Sequence, residues 1–73
     1  SESTSDSVFA YSVSMMYKAG IYKAKGDILE SLKTLRQLKT YLLKEIKTSN
    51  NKEALQGALQ AVDNKIEEMD AIK

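Results

Sequence analysis

The stretch KGDILE, residues 25–30, decides the fold of this 73-residue chain, because it either divides one long helix into two or lies inside it. Gly26 can adopt the left-handed conformation that ends many helices, and Asp27 is a favourable N-cap residue. Glu30 stands three residues after Asp27, where a carboxylate can complete a capping box. Together these residues predict a turn between two helices.

Apolar residues recur every three or four positions on both sides of this stretch, which predicts helix throughout. The apolar stripe keeps its phase at Gly26, so one continuous helix stays an alternative. Further apolar residues beside the stripe favour a helix that packs against more than one neighbour. The stripe consists of Ala10, Val13, Tyr17, Ile21, Ala24, Ile28, Leu32, Leu35, Leu38, Leu42 and Ile46, with Met16, Tyr22, Leu29 and Leu43 beside it.

A second break is predicted at residues 48–51, where Thr, Ser and two Asn compete for backbone hydrogen bonds. Asn50 followed by Glu53 has the spacing of an N-cap with its capping-box carboxylate, which predicts a new helix from residue 51. This helix carries one apolar face, formed by Leu55, Leu59, Val62, Ile66, Met69 and Ile72.

The predicted fold is therefore an all-α, antiparallel three-helix bundle, with helices at about residues 8–25, 27–48 and 51–72. Residues 8–73 form a single helical domain, and the polar, non-periodic residues 1–7 are expected to be a flexible lead. If the chain does not turn at Gly26, the alternative is a long helical hairpin. Its N-terminal half would lack an intramolecular partner and would have to form a dimer.

The composition excludes several kinds of chemistry. The chain has no Cys and no His, which excludes thiolate nucleophiles, thiol-ligated zinc, disulfides and imidazole bases. The acidic residues near the C-terminus lie beside the apolar face of the last helix, not on it. We therefore expect no enzymatic activity, no cofactor and no metal. No apolar run approaches the roughly 18 residues of a membrane span, so we expect a cytoplasmic domain that does not insert into membranes.

Charge is unevenly distributed although the net charge is only +1. Residues 18–47 hold eight basic and three acidic side chains, whereas the last helix is mainly acidic. The simplest explanation is that a basic and an acidic helix lie side by side. Alternatively, Asp63, Glu67 and Asp70 present carboxylates to a basic peptide. This pattern argues against nucleic-acid binding, because Arg36 is the single Arg and Arg is the residue that reads bases and stacks on them.

The residues KGDILESL, 25–32, continue into Leu35, Leu38, the Tyr41–Leu43 run and the Ile46-Lys47 pair. This pattern resembles the turn and second helix of microtubule-interacting and trafficking (MIT) domains, and tetratricopeptide hairpins share its Gly turn. Ala19 falls where MIT domains often place a small residue, whereas Ser31 replaces their small Ala. The resemblance implies a three-helix module that binds short helical or extended tails, typically of ESCRT-III-type membrane-remodelling subunits, beside the third helix.

Recognition of this kind places apolar anchors in pockets and charged residues at the rim. In this chain the implied partner-binding residues are Leu43, Ala54, Ala58, Ala61, Glu68 and Ile72. The three alanines form a strip of small side chains that lets a partner approach closely, although such a strip can equally pack against a neighbouring helix. The alternative function is self-assembly of a helical hairpin, as in a secretion-system component, a virion assembly component or a chaperone. In that case the partner is a second copy of this chain, in a homodimer.

Overall fold

The computed structural model describes the backbone of residues 2–72 and the side chains of residues 7–72. Three helices follow one another: α1 (Glu2–Ala24), α2 (Ile28–Ile46) and α3 (Lys52–Ile72). Helices α1 and α2 pack against each other, as do α2 and α3. The predicted all-α, antiparallel three-helix architecture is confirmed. The long hairpin is wrong, because the chain turns at residues 25–27.

The turn after α1 is a Schellman motif, in which two N–H groups satisfy the last free carbonyls of the helix. Gly26 has a φ of 84° and donates to Lys23 O at 2.9 Å, and Asp27 N–H donates to Tyr22 O at 2.9 Å. The Asp27 carboxylate then caps α2 by accepting from Glu30 N–H at 3.3 Å. Asp27 N–H is thus used by Tyr22, so the carboxylate of Glu30 does not complete the predicted capping box there.

The turn after α2 is longer than predicted, because α2 ends at Ile46 instead of at about residue 48 and α3 begins at Lys52 instead of at residue 51. Asn51 O accepts from Leu55 N–H at 3.2 Å, which makes Asn51 rather than Asn50 the N-cap of α3. The Ser49 hydroxyl accepts from Asn51 N–H at 2.9 Å and fixes the approach to the cap. Glu53 therefore occupies the second helical position, where its charge still favours the helix N-terminus but cannot form a capping box.

Helix α1 begins at Glu2, six residues before the predicted start. The polar residues 2–7, expected to be a flexible lead, have a helical backbone up to the start of the apolar pattern. Neither Pro nor Gly occurs in this segment to end the helix. The start of the apolar periodicity therefore does not mark the start of the helix.

The core lies along α2, whose apolar stripe is buried as predicted at Leu32, Leu35, Leu38 and Leu42. Helix α3 contributes Leu55, Val62 and Met69. The predicted face of α1 is wrong, since Val13, Tyr17 and Ile21 are exposed. The buried side chains of α1 are instead Val8, Ser12, Met15 and Ala19.

Side chains along the two outer edges of α2 contact the neighbouring helices. On the α3 side, Lys39 Nζ lies 2.8 Å from Asp63 Oδ1 and Arg36 Nη2 lies 3.5 Å from Asp70 Oδ1. The basic helix and the acidic helix therefore lie side by side, as the simplest explanation of the charge pattern predicts. On the α1 side, the rings of Tyr11 and Tyr41 meet with centroids 4.4 Å apart and planes tilted by 53°.

Candidate functional site

A groove lies between α1 and α3. Both helices pack along α2, whereas their backbones come close to each other at few points. A larger cavity of about 360 Å³ and a smaller one of about 250 Å³ open along this gap and share Val13 and Met16. They are therefore two parts of one α1–α3 groove. Its walls are Phe9, Ser12, Val13, Met16, Tyr17, Gly20 and Lys23 of α1, and Ala58, Ala61, Val62, Lys65 and Met69 of α3.

The α1 wall exists because α1 has two apolar faces. One face, with Met15 and Ala19, is buried against the rest of the bundle. The second face points into the groove and leaves Val13 68% and Tyr17 72% exposed. An isolated exposed apolar residue is ordinary, but adjacent ones lining a shared concave surface are typical of a binding site.

Part of the α3 wall is formed by small side chains. Ala58 and Ala61 line the smaller cavity together with Phe9 and Val62. On the opposite wall, Gly20 is exposed in the larger cavity, and a Cβ at this position would meet no atom within 4 Å. Gly20 therefore does not serve a close contact between helices within this chain. The groove remains open enough for another backbone to approach its walls.

The floor of the groove is fixed by α2. Leu35 lines the larger cavity and is only 1% exposed. Ser31 lies nearby, with its hydroxyl donating to Ala19 O at 2.8 Å and lying 3.8 Å from Met69 Sδ. This residue contacts both outer helices and sets their separation at one end. Ser31, which stands where the MIT pattern has a small Ala, thus forms a polar contact within the core.

One end of the groove is charged. Glu68 Oε1 lies 3.9 Å from Lys23 Nζ and 3.5 Å from Lys65 Nζ, so one carboxylate is shared by two ammonium groups. The ion pair with Lys23 joins α3 to α1 across the groove. All three side chains are about half exposed, and each pair adds little to stability. They nevertheless give this end an excess of positive charge.

The structure brings together only part of the predicted site. Ala58 and Ala61 line the groove, Glu68 lies at its charged end, and Ala54 is half-buried one turn before Ala58. Leu43 and Ile72 are exposed and line neither cavity.

Leu43 follows Lys39 by one helical turn, on the edge of α2 that pairs with Asp63. It therefore does not flank the alanine strip in the groove. The wall facing the strip belongs to α1, not to α2. Asp63 and Asp70, proposed as carboxylates for a basic peptide, form ion pairs with α2.

Sequence reasoning missed the α1 wall, because it assigned Val13 and Tyr17 to the core. The sequence feature that indicates this wall is the lack of a single apolar face between residues 8 and 20. Apolar side chains there follow two helical rows, one through Val8, Met15 and Ala19 and one through Phe9, Val13 and Met16. Two rows on an outer helix indicate that one of them is free for another contact.

None of the described helices combines sufficient length with sufficient hydrophobicity to cross a membrane. Among the side chains described from residue 7 to residue 72, acidic groups nowhere gather in a set of three that could hold a metal ion. Comparison with protein families, with curated proteins and with solved structures finds no match for this chain.

Proposed function

We propose that this domain is a protein-interaction module that binds one amphipathic helix of a partner protein in the α1–α3 groove. The observation that carries the proposal is the second apolar face of α1, where Val13 and Tyr17 remain largely exposed beside two adjoining cavities. Binding sites for helices are grooves of this kind, with apolar pockets for side chains spaced at three and four residues.

The geometry favours a helix as the ligand. Helices α1 and α3 both pack on α2 and their backbones come close to each other at few points, so the gap between them is open to a fourth helix. The groove runs from Phe9 to Lys23, which is about 21 Å along the axis of α1 and matches about 14 residues of a bound helix. The small walls at Gly20, Ala58 and Ala61 allow the close axial distance of packed helices.

The resemblance to MIT domains suggests a more specific role. In that role the domain would recruit its parent protein to membrane-remodelling machinery, as a cytoplasmic module in protein transport. Tails of ESCRT-III-type subunits are therefore the first natural ligands to test. The groove between α1 and α3 is the surface where we expect such a tail to bind, with Ala58 and Ala61 in contact with it.

A display selection tests the proposal without a known partner. A library of helix-forming 16-residue peptides is selected on the wild-type domain, and each enriched peptide is then measured against A61D by fluorescence anisotropy. Ala61 is exposed and lines the smaller cavity, so Asp should bring a charge into the groove without unfolding the domain. We expect at least a tenfold loss of affinity, since an unpaired charge in an apolar contact is costly.

The matched control is A71D, which makes the same change at an exposed alanine of α3 that lines neither cavity. Its affinity should stay within about twofold of wild type. Equal binding by wild type and A61D, or ligand-induced NMR shifts confined to residues outside the groove, would show that the proposal is wrong. Sedimentation equilibrium adds a second test, because a dimer closed through the groove would make a second copy the ligand and also overturn the proposal.

A further inference from the structure

We infer that the bound helix runs antiparallel to α1 and α3, and that an acidic residue of its first turn pairs with Lys23 and Lys65. This inference rests on the proposed function, since it assigns the direction and the charge of the helix in the same groove. It follows from the position of the charged cluster and from the direction of the two walls.

The charge of the groove is confined to one end. Of the described residues that line the two cavities, Lys23 and Lys65 are the charged ones, and both line the larger cavity. Glu68 interacts with both ammonium groups, at 3.9 Å and 3.5 Å. Among these side chains, two positive charges against one negative leave an excess of one positive charge, and a carboxylate is the ligand group that complements the ammonium groups.

The existing ion pairs leave room for this carboxylate. The side chains of Lys23 and Lys65 are 42% and 48% exposed, so both can turn toward a ligand without opening the core. Exposed pairs of this kind contribute little to stability, and exchange of one carboxylate for another costs little. The rest of the groove is almost entirely apolar, which places the acidic residue at one end of an otherwise apolar ligand face.

The direction of the walls gives the direction of the ligand. Lys23 belongs to the last turn of α1, and α3 runs parallel to α1 because both pack antiparallel to α2. The charged end is therefore where both helices carry the negative ends of their dipoles. A bound helix is favoured with its positive N-terminal end here, and helices commonly place Asp or Glu in that first turn. A helix in the opposite direction would bring its own negative end to this position.

Two synthetic 14-residue peptides test the inference. Both are acetylated and amidated, share one Leu-rich apolar face and have neutral residues elsewhere. One carries two Glu in its first turn, and the other carries the same two Glu in its last turn. Their affinities are measured by fluorescence anisotropy on wild type, K23Q/K65Q and E68Q, with K33Q/K44Q as the control at two exposed lysines of α2.

We expect K23Q/K65Q to weaken the peptide with N-terminal Glu by about fivefold and the other peptide by less than about twofold. E68Q frees both lysines, so it should tighten the first peptide by about twofold to threefold. K33Q/K44Q should leave the ratio of the two affinities unchanged. Comparing ratios cancels the effect that moving Glu has on the helicity of each peptide.

Equal losses for both peptides on K23Q/K65Q, or weaker binding on E68Q, would overturn the inferred direction while the groove remains the binding site. If neither peptide shifts the NMR signals of the groove residues, the proposed function itself fails, and this inference fails with it. A spin label on the N-terminus of the first peptide supplies a direct readout. It should broaden the signals near Lys23, and broadening near Phe9 instead would exclude the antiparallel direction.

Discussion

The Ser31 hydroxyl on α2 donates a hydrogen bond of 2.8 Å to the Ala19 carbonyl on α1. Ser31 is fully buried and Ala19 is 2% exposed, so this bond is shielded from water. We expect S31A to lower the free energy of unfolding by about 1 kcal/mol, the usual contribution of one intramolecular hydrogen bond. Urea denaturation followed by circular dichroism measures it. S14A, at an exposed serine of α1, is the control and should be neutral to slightly stabilising, and equal effects would mean that the bond does not contribute.

The Schellman turn predicts that G26A is destabilising. Gly26 has a φ of 84°, a conformation that costs a residue with a Cβ about 1 to 2 kcal/mol. The added methyl group would meet no atom within 4 Å, so the cost is conformational and not steric. The same urea titration gives the difference in free energy. Replacement by Asn should cost less than replacement by Ala, because Asn tolerates the left-handed region better, and the reverse order would contradict this explanation.

Replacement of the two glycines inside helices by Ala should raise the free energy of unfolding, unlike G26A. Gly20 and Gly57 lie inside α1 and α3, and a Cβ at either position would meet no atom within 4 Å. G57A should raise the free energy of unfolding by about 0.5 to 1 kcal/mol, because Ala loses less backbone freedom than Gly in a helix. G20A should be similarly stabilising, but it adds a methyl group to the larger cavity and should alter ligand affinity. A destabilising G57A would show a constraint at this position that the structure lacks.

The two apolar faces of α1 can be separated by mutation. V13S/Y17S changes side chains that are 68% and 72% exposed, so it should change the free energy of unfolding by less than about 0.5 kcal/mol per site. M15S changes a buried side chain and should cost about 2 to 4 kcal/mol. Thermal melting compares the two variants. A large loss of stability in V13S/Y17S would mean that this face belongs to the core.

Tyr41 predicts a loss of stability in alkali. Its pKa is raised first by burial of the phenol, then by the negative charge of Glu45 and by Tyr11. The folded protein therefore keeps this proton to a higher pH than the unfolded chain, whose tyrosine pKa is about 10. The associated stability is fully present below that pH and is lost as pH rises through the folded pKa. Melting curves between pH 8 and pH 11 should show a smaller decline for Y41F than for wild type. Parallel declines would contradict this role.

The turn at Gly26-Asp27 and the cores of α2 and α3 could be predicted because their signals are local. A glycine in the left-handed region and a capping carboxylate require only their immediate neighbours. Helix α2 has a single continuous apolar face and packs against both other helices. The residues of this face are therefore buried, namely Leu32, Leu35, Leu38 and Leu42. The position of the α3 cap differed by one residue, since Asn50 and Asn51 are chemically equivalent and Ser49 selects between them.

The buried face of α1 could not be predicted in the same way. Two apolar rows compete on this helix, and the choice depends on where α2 and α3 lie. The Ser31 hydroxyl of α2 donates to the Ala19 carbonyl, and the row buried against α2 is the one that contains Ala19 and Met15. Val13 and Tyr17 are then left outside. The alanine strip on α3 could be predicted from its spacing. The wall that faces it could not, because that wall belongs to α1 and depends on which apolar row of α1 is buried.

The small number of close backbone approaches between α1 and α3 has a consequence for cooperativity. Each outer helix can detach from α2 while the other stays in place, so hydrogen exchange should reveal two partial openings, with the amides of α2 exchanging last. The Lys23–Glu68 ion pair is too weak to couple these openings. A ligand that contacts both outer helices would tie them together, and the slowest amides of α1 and α3 would then exchange as one unit.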